Sequence, residues 1–248
     1  MTANKPAVIH RVTTLDLKVE SWGWPFAAER RDEIDAHFAE KQRDKPALWN
    51  GRVLLGRDAS IASGHLTARY FETDFASLLA WRDWGYPDST VFNGFGMGAL
   101  RAADGAFVLG EMGHHTANAG RVYFPAGTPD PNDVCDGMLD VAASIAREVE
   151  EETGLAPGDY RAEPHWDCVV TDTTIAMMRI LDVHLPGEEL KRRIEGNLAA
   201  QQDPELSAIQ LVRTRGELTS AMPLFVTAFL EAQFADDGRA KVSKDRSL

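Results

Sequence analysis

Cysteine is scarce in this chain, which contains only Cys135 and Cys168 among its 248 residues. Two cysteines do not make a disulfide framework, so the sequence favours a reducing compartment. The sequence also lacks any apolar run of membrane-spanning length. Residues 1–6 lack the apolar core of a secretory signal. We therefore expect a soluble, cytoplasmic protein with no membrane partner.

Positive charge is also in short supply. The chain has 26 Lys and Arg residues against 38 Asp and Glu residues, which gives a formal net charge of −12 at pH 7. This balance argues against nucleic acid or an anionic lipid surface as a partner. The composition is otherwise that of a globular protein, with 44% hydrophobic and 26% charged residues. We expect a small-molecule substrate, and the sequence leaves a homodimer open.

The chain divides into three predicted parts. Residues 1–88 predict an accessory region that is mostly β with one helix, and residues 89–235 predict an α/β domain. Residues 236–248 predict a polar tail. The glycine run at residues 93–98 invites comparison with a dinucleotide-binding loop, but no helix pattern follows it. Close packing of strands is the better explanation of these glycines.

The most informative stretch, residues 147–155, contains three closely spaced glutamates. Glu148, Glu151 and Glu152 are three and four residues apart, so a helix would place their carboxylates side by side. Like charges at this spacing destabilise a helix, and Mg2+ would compensate for them because it takes oxygen ligands. A solvated acidic helix face is the alternative interpretation of the same pattern.

The same stretch resembles the second half of the Nudix box, the motif of the Nudix hydrolase superfamily. Every fixed position of that half is filled, by Arg147, Glu148, Val149, Glu151, Glu152, Gly154 and Leu155. The first half departs from the family, because Leu139 stands where the family has a glutamate and Asp133 where it has a glycine. We expect a helix from about Asp140 to Gly154. Asp140 is then the candidate to orient Arg147 in place of the missing glutamate.

Residues 125–131 are similar to the proline- and glycine-rich loop that precedes this box in the family. If Gly127 is the equivalent glycine, it stands 20 residues before Arg147, and six residues are inserted relative to the family. An expanded and irregular box of this kind bears a faint likeness to the UDP-glucose diphosphatase branch. A nucleotide sugar is therefore a candidate substrate.

The resemblance implies a Nudix-type α/β/α sandwich over roughly residues 90–235, with the activity of a hydrolase that needs Mg2+ or Mn2+. Its substrate would be a nucleoside diphosphate linked to another group, and water would cleave a phosphoanhydride bond. The implied metal ligands are three carboxylates and one backbone carbonyl: Glu148, Glu151, Glu152 and Gly127. Arg147 would pair with a carboxylate as structural support. Glu148 and Glu205 are candidates for the general base, although a surface acid beside Pro204 is the alternative for Glu205.

Two other functions stay open on the same scaffold. Leu139 in place of a glutamate is compatible with a nucleotide-binding or regulatory protein that has lost activity, although the intact glutamates oppose this. An isomerase acting on an isoprenoid diphosphate would need a cysteine in its site, and neither Cys135 nor Cys168 stands in a suitable motif. His114 and His115 lack partners at metal-ligand spacing, so we expect them in a loop near the site.

Overall fold

The computed structural model describes residues 6–244, and the side chains of residues 6–235. It has the mixed α/β fold that we expected, with one large mixed sheet and helices. The strands are β1 (Val8–Val12), β2 (Thr14–Val19), β3 (Arg52–Ala62), β4 (His65–Asp74), β5 (Val91–Arg101), β6 (Phe107–Met112), β7 (Val122–Tyr123), β8 (Val134–Cys135), β9 (Met138–Leu139), β10 (Tyr160–Ala162), β11 (Trp166–Val170), β12 (Thr174–Val183) and β13 (Leu206–Val212). The α-helices are α1 (Pro25–Glu29), α2 (Arg31–Asp44), α3 (Phe75–Asp83), α4 (Val141–Thr153), α5 (Gly187–Ala200) and α6 (Leu224–Lys244).

Strand β5 is the centre of the sheet, because it pairs with β12, β3 and β6. It runs parallel to β12 over residues 93–101 and antiparallel to β3 at its first residues. The sheet continues through β11 to β1 on one side, and through β4, β2, β9 and β8 on the other. Because β1 pairs with β11 and β3 pairs with β5, hydrogen bonds connect the expected accessory region with the domain that follows it. The boundary at residue 88 stays a prediction.

Helices cover both faces of β5, and its glycines determine how closely one of them packs. Successive residues of a strand point to opposite faces of the sheet. On one face, a Cβ at Gly96 would stand 2.6 Å from Val141 Cγ1 of α4. On the other face, the ring of Phe95 lies 5.5 Å from the ring of Phe225 in α6. The glycine run therefore serves close packing, at Gly96 and Gly98 against α4 and at Gly94 against Tyr70 of the strand β4.

The first 88 residues contain helices α1, α2 and α3, where the sequence predicted one helix. Arg30, with φ of −112° and ψ of 23°, separates α1 from α2. Asp74 caps α3, because its carboxylate accepts a hydrogen bond from the Ser77 N–H at 2.9 Å. Side chains of these helices and of β3 and β4 form a core of their own, in which Trp81 and Phe71 are fully buried. This core holds α3 in place beside β5.

The main core lies between the sheet and helices α4, α5 and α6. Phe229 of α6 is fully buried in it, and its ring packs edge-on against the rings of Phe107 and Phe124. Helix α6 continues to Lys244, beyond the start of the predicted polar tail, and residues 245–248 lie outside the described residues. Within the part of the chain that the structure describes, no helix has the length and apolar character needed to cross a bilayer.

Candidate active site

Helix α4 carries the glutamates, and local sequence sets its two ends. The Asp140 carboxylate caps the first turn by accepting a hydrogen bond from the Ala143 N–H at 2.9 Å. Gly154 follows the last turn in a left-handed conformation, with φ of 72°. Both ends agree with the expected bounds. Ile145 and Val149 pack on the glycines of β5, and this contact fixes which side of α4 faces the interior.

The three glutamates do not share one environment. Glu152 is 5% exposed, and the side chain of Glu148, one turn earlier, is 12% exposed. The Glu151 side chain is 61% exposed, and its carboxylate lies 3.6 Å from Arg147. Glu151 is therefore more exposed than the other two, because the packing of α4 turns residue 151 outward, but its carboxylate stays beside that of Glu148, since both lie within 4 Å of the same Arg147 nitrogen. Among the described residues, no group of three or more His, Cys, Asp and Glu side chains is arranged to hold a metal ion.

The loop of residues 125–127 lies directly on the two buried carboxylates, those of Glu148 and Glu152, which we call the inner glutamates. Its first carbonyl accepts a hydrogen bond from the backbone of β5 at 3.0 Å, which anchors the loop to the sheet. The Ala126 N–H donates to Glu152 Oε1 at 3.4 Å. A Cβ at Gly127 would overlap the Glu148 carboxylate, so any other residue at position 127 would displace that carboxylate. The structure thus brings Gly127 against Glu148, while ligation by the Gly127 carbonyl stays a prediction.

The longer segment between this loop and α4 folds as a turn followed by a β-hairpin. A 3-10 turn spans Pro131–Asp133, and β8 and β9 then pair across Asp136 and Gly137. These two residues have φ of 49° and 76°, the left-handed conformations that a tight hairpin turn needs. Strand β9 also pairs with β2, so the inserted residues connect the site to the accessory region.

Arg147 pairs with a buried carboxylate, as the resemblance implied, and the partner is Asp133. One terminal nitrogen of its guanidinium lies 3.1 Å from Asp133 Oδ1, and the other lies 2.7 Å from Glu148 Oε1. Asp133 also accepts a hydrogen bond from Ser144 Oγ at 3.1 Å. The hypothesis that Asp140 orients Arg147 is therefore wrong, because Asp140 serves as the helix cap. The motif gave no signal for Asp133, since the family has glycine at that position.

Burial gives the two inner glutamates unusual proton affinities. Loss of hydration raises the pKa of Glu148 to about 7, although the Arg147 guanidinium opposes this shift. Loss of hydration also raises the pKa of Glu152 well above its usual range, and the charges of Glu148 and Glu205 add to the effect. Glu152 Oε2 is buried and has no hydrogen-bond partner among the described residues. An orphaned carboxylate oxygen of this kind fits a divalent cation, which would offset the cost of its burial.

Glu205 approaches the inner glutamates from another part of the sheet. It is exposed and stands immediately before β13, where its backbone carbonyl accepts a hydrogen bond from the Gly113 N–H at 2.7 Å. Besides burial, the negative charge of Glu205 helps to raise the pKa of Glu148 and of Glu152. Glu205 therefore lies within electrostatic range of both carboxylates. His115 lies in the loop between β6 and β7, two residues after Gly113, and its Nε2 is 3.9 Å from Asp203 Oδ1. The structure thus brings Glu205 to the site, and its role as a base stays a prediction.

A cavity of about 610 Å3 opens beside the 125–127 loop. Ala126 and Gly127 form part of its wall, and the remainder comes from α3, β5, the residues around the start of β7, the turn between β11 and β12, and the start of α6. Its size is within the range of small-molecule sites. Sequence reasoning named no substrate-binding residue, because these side chains come from segments that are far apart in the chain.

No protein-family model matches this chain, and no curated protein matches it. Among solved structures, the chain is similar to a Nudix hydrolase from M. smegmatis, RenU, with 12% sequence identity and a TM-score of 0.38. That match covers 58% of this chain and 84% of the other. The chain is also similar to the MutT protein from Methanosarcina mazei Go1, with 21% identity and a TM-score of 0.35, over 59% of this chain and 95% of the other.

Proposed function

We propose that the protein is a hydrolase that cleaves a phosphoanhydride bond in a nucleoside diphosphate linked to another group, with Mg2+ or Mn2+ as its cofactor. The observation that carries the proposal is the pair Glu148 and Glu152, two buried carboxylates one helical turn apart, of which Glu152 keeps an oxygen without a protein partner. Such a pair opposes folding unless a ligand compensates for it. The loop that lies on the pair also lines a cavity of suitable size for a nucleotide.

Glu148 and Glu152 would hold the cation. The Gly127 carbonyl would be a third ligand, and the exposed Glu151 would contribute through a water molecule. When bound, a divalent cation neutralises charge on phosphoryl oxygens and makes a coordinated water more acidic. Because the chain has a net charge of −12, the cation would also reconcile an acidic protein with an anionic substrate.

The chain's own residues would orient the pair and accept the proton of the attacking water. Arg147, held by Asp133, lies 2.7 Å from Glu148 Oε1 and fixes the direction of that carboxylate. Glu205 is exposed and stands outside the proposed ligand set, so it stays able to accept a proton when a cation occupies the pair. We take Glu205 as the general base and Glu148 as the alternative.

A substrate panel tests the proposed function. Nucleotide sugars come first because of the expanded box, followed by ADP-ribose, dinucleoside polyphosphates and coenzyme A. We expect phosphate-containing products from at least one substrate with Mg2+ or Mn2+, and none when EDTA removes the metal. Product formation by the metal-free protein, or full turnover by Glu152→Gln, would contradict the proposal.

A nucleotide-binding or regulatory protein without activity is the second candidate, and the outward position of Glu151 favours it. With Glu151 in solvent and Glu148 paired with Arg147, fewer carboxylates are free for a cation than the motif implies. Thermal stabilisation by a nucleotide, without product from any member of the panel, would support this alternative.

A further inference from the structure

We infer that the cavity beside the 125–127 loop binds the nucleoside end of the substrate, with Asn93 recognising the base and Arg121 the adjoining phosphate. We call it the α3 cavity, because helix α3 of the accessory region forms one of its walls. The inference rests on the proposed function, since it presumes a nucleotide ligand. It deepens that function by assigning substrate recognition to side chains outside the glutamate motif.

Asn93, near the start of β5, is part of the wall of this cavity, and its side chain has a buried oxygen without a partner among the described residues. The backbone N–H of Asn93 already donates to the Thr173 carbonyl at 2.9 Å, and the buried side-chain oxygen is Oδ1. A buried acceptor of this kind costs free energy unless a ligand supplies a donor. Nucleobases carry N–H donors and acceptors side by side along their edges, and an asparagine amide can bond to both. Asn93 therefore suits the base end of a nucleotide.

Arg121 supplies positive charge to the wall of the cavity that also contains Tyr123. Arg121 and Tyr123 are two residues apart at the start of β7, and both line the cavity. Burial raises the pKa of Tyr123 and the charge of Glu152 adds to this rise, so Tyr123 is also close to the carboxylate pair. Arg121 is exposed, and within residues 6–235 its guanidinium makes no ion pair. In an acidic chain, a guanidinium so placed suits a phosphate group, which can accept from two of its nitrogens.

Apolar and aromatic side chains from α3 and α6 form two further parts of the wall, and polar side chains of the turn between β11 and β12, Asp172 among them, form another. One stripe of α3 faces the cavity, with the helical spacing i, i+3, i+4 and i+7 of Phe75, Leu78, Leu79 and Arg82. Phe225 of α6 contributes a half-buried ring from another side. A planar base packs well against such rings. The cavity thus combines apolar rings and an amide, which suit a base, with a guanidinium, which suits a phosphate.

Equilibrium binding without catalysis tests the inference. Isothermal titration calorimetry in EDTA would compare UMP, CMP, AMP and GMP with ribose 5-phosphate, which lacks a base. We expect at least one nucleotide to bind about tenfold more tightly than ribose 5-phosphate, because the base adds a hydrogen bond and stacking. Equal affinity for ribose 5-phosphate and for all four nucleotides would overturn the inference.

Two variants test which residue of the cavity binds the base and which binds the phosphate. Asn93→Ala should remove the part of the nucleotide preference that comes from the hydrogen bond, lowering the affinity for the preferred nucleotide about fivefold, and leave ribose 5-phosphate binding unchanged. Arg121→Ala should weaken both ligands by about tenfold, because both carry phosphate. Arg161→Ala is the matched control and should change neither affinity, since the Arg161 side chain is 79% exposed and outside the cavity.

Folding is checked by thermal unfolding of each variant. If Asn93→Ala has a low Tm, Arg121→Ala still tests the inference. We expect Arg121→Ala to fold normally, because Arg121 is exposed and makes no ion pair within the described side chains. Wild-type nucleotide affinity in Arg121→Ala, or in a folded Asn93→Ala, would overturn the assignment.

The same variants separate the two proposals. Nucleotide binding that depends on Asn93, in a protein that forms no product with Mg2+, would sustain the α3 cavity and refute hydrolysis. Turnover with unchanged kcat/KM in Asn93→Ala and Arg121→Ala would sustain hydrolysis and refute the cavity as the nucleoside subsite.

Discussion

Two buried carboxylates in this protein have opposite surroundings. Asp167 in β11 is 3% exposed, and both of its oxygens are paired: Arg11 Nε donates to one at 2.8 Å and Gln233 Nε2 to the other at 3.0 Å. Glu152 is about as deeply buried, but it receives one long hydrogen bond from the Ala126 N–H and leaves Oε2 without a protein partner. Since an unpaired buried charge strongly opposes folding, the difference supports the proposal that Glu152 binds a cation.

Replacing the charge by an amide at these two positions should give opposite results. Glu152→Gln should lower kcat about 1000-fold, because loss of a cation ligand removes several kcal/mol of transition-state stabilisation. Its Tm should stay equal or rise, since a buried unpaired carboxylate is gone. Asp167→Asn should keep kcat within about threefold and lower the Tm, because Arg11 loses its charged partner. Steady-state kinetics with Mg2+ and thermal unfolding measure both effects. A normal kcat in Glu152→Gln would show that Glu152, like Asp167, is not needed for activity.

A smaller effect is expected from the loop that lies on the glutamates. Gly127→Ala places a methyl group against the Glu148 carboxylate and should lower kcat about 100-fold, because a displacement near 1 Å in an active site can cost that much. Gly158→Ala is the matched control, since a Cβ there meets nothing within 4 Å. We expect its kcat and Tm to be those of the parent protein. Equal kcat values for the two variants would show that the contact at Gly127 is not needed for activity.

The stability of the metal-free protein should depend on pH through Glu148. Its pKa is raised from 4.5 to about 7, so between these values the folded state binds a proton that the unfolded state has released. The contribution of this proton is fully present below about pH 4.5 and is lost as the pH rises through 7, which lowers the free energy of unfolding by about 3 kcal/mol.

Urea unfolding in EDTA at several pH values measures how the free energy of unfolding changes with pH. Mg2+ should restore stability at the upper end of the range, because it binds the folded protein. Glu148→Gln should lack this part of the pH dependence, and an unchanged slope in that variant would assign it to another group.

Local signals made the position of α4 predictable from sequence. Asp140 at its start and Gly154 at its end act on neighbouring residues, so the bounds follow from short-range chemistry. The placement of Gly127 against Glu148 was also foreseeable, because the motif contains both positions. The mixed α/β class followed from the alternation of strand and helix patterns.

Other features depend on contacts between distant segments and left no local signal. The outward position of Glu151 results from the packing of Ile145 on the glycines of β5. The pairing of Arg147 with Asp133 depends on the 3-10 turn and hairpin that precede α4. Strand β1 was missed because its partner is β11, more than 150 residues later. The α3 cavity was missed for the same reason.

The smallest effect is expected at Asp140, an exposed residue whose carboxylate caps the first turn of α4. Asp140→Ala should lower the free energy of unfolding by about 1 kcal/mol, the usual contribution of an N-cap. Its kcat should be unchanged, because Arg147 keeps its contacts with Asp133 and Glu148. Denaturant unfolding and steady-state kinetics test both statements. A tenfold loss of kcat would instead indicate that Asp140, and not Asp133, orients Arg147.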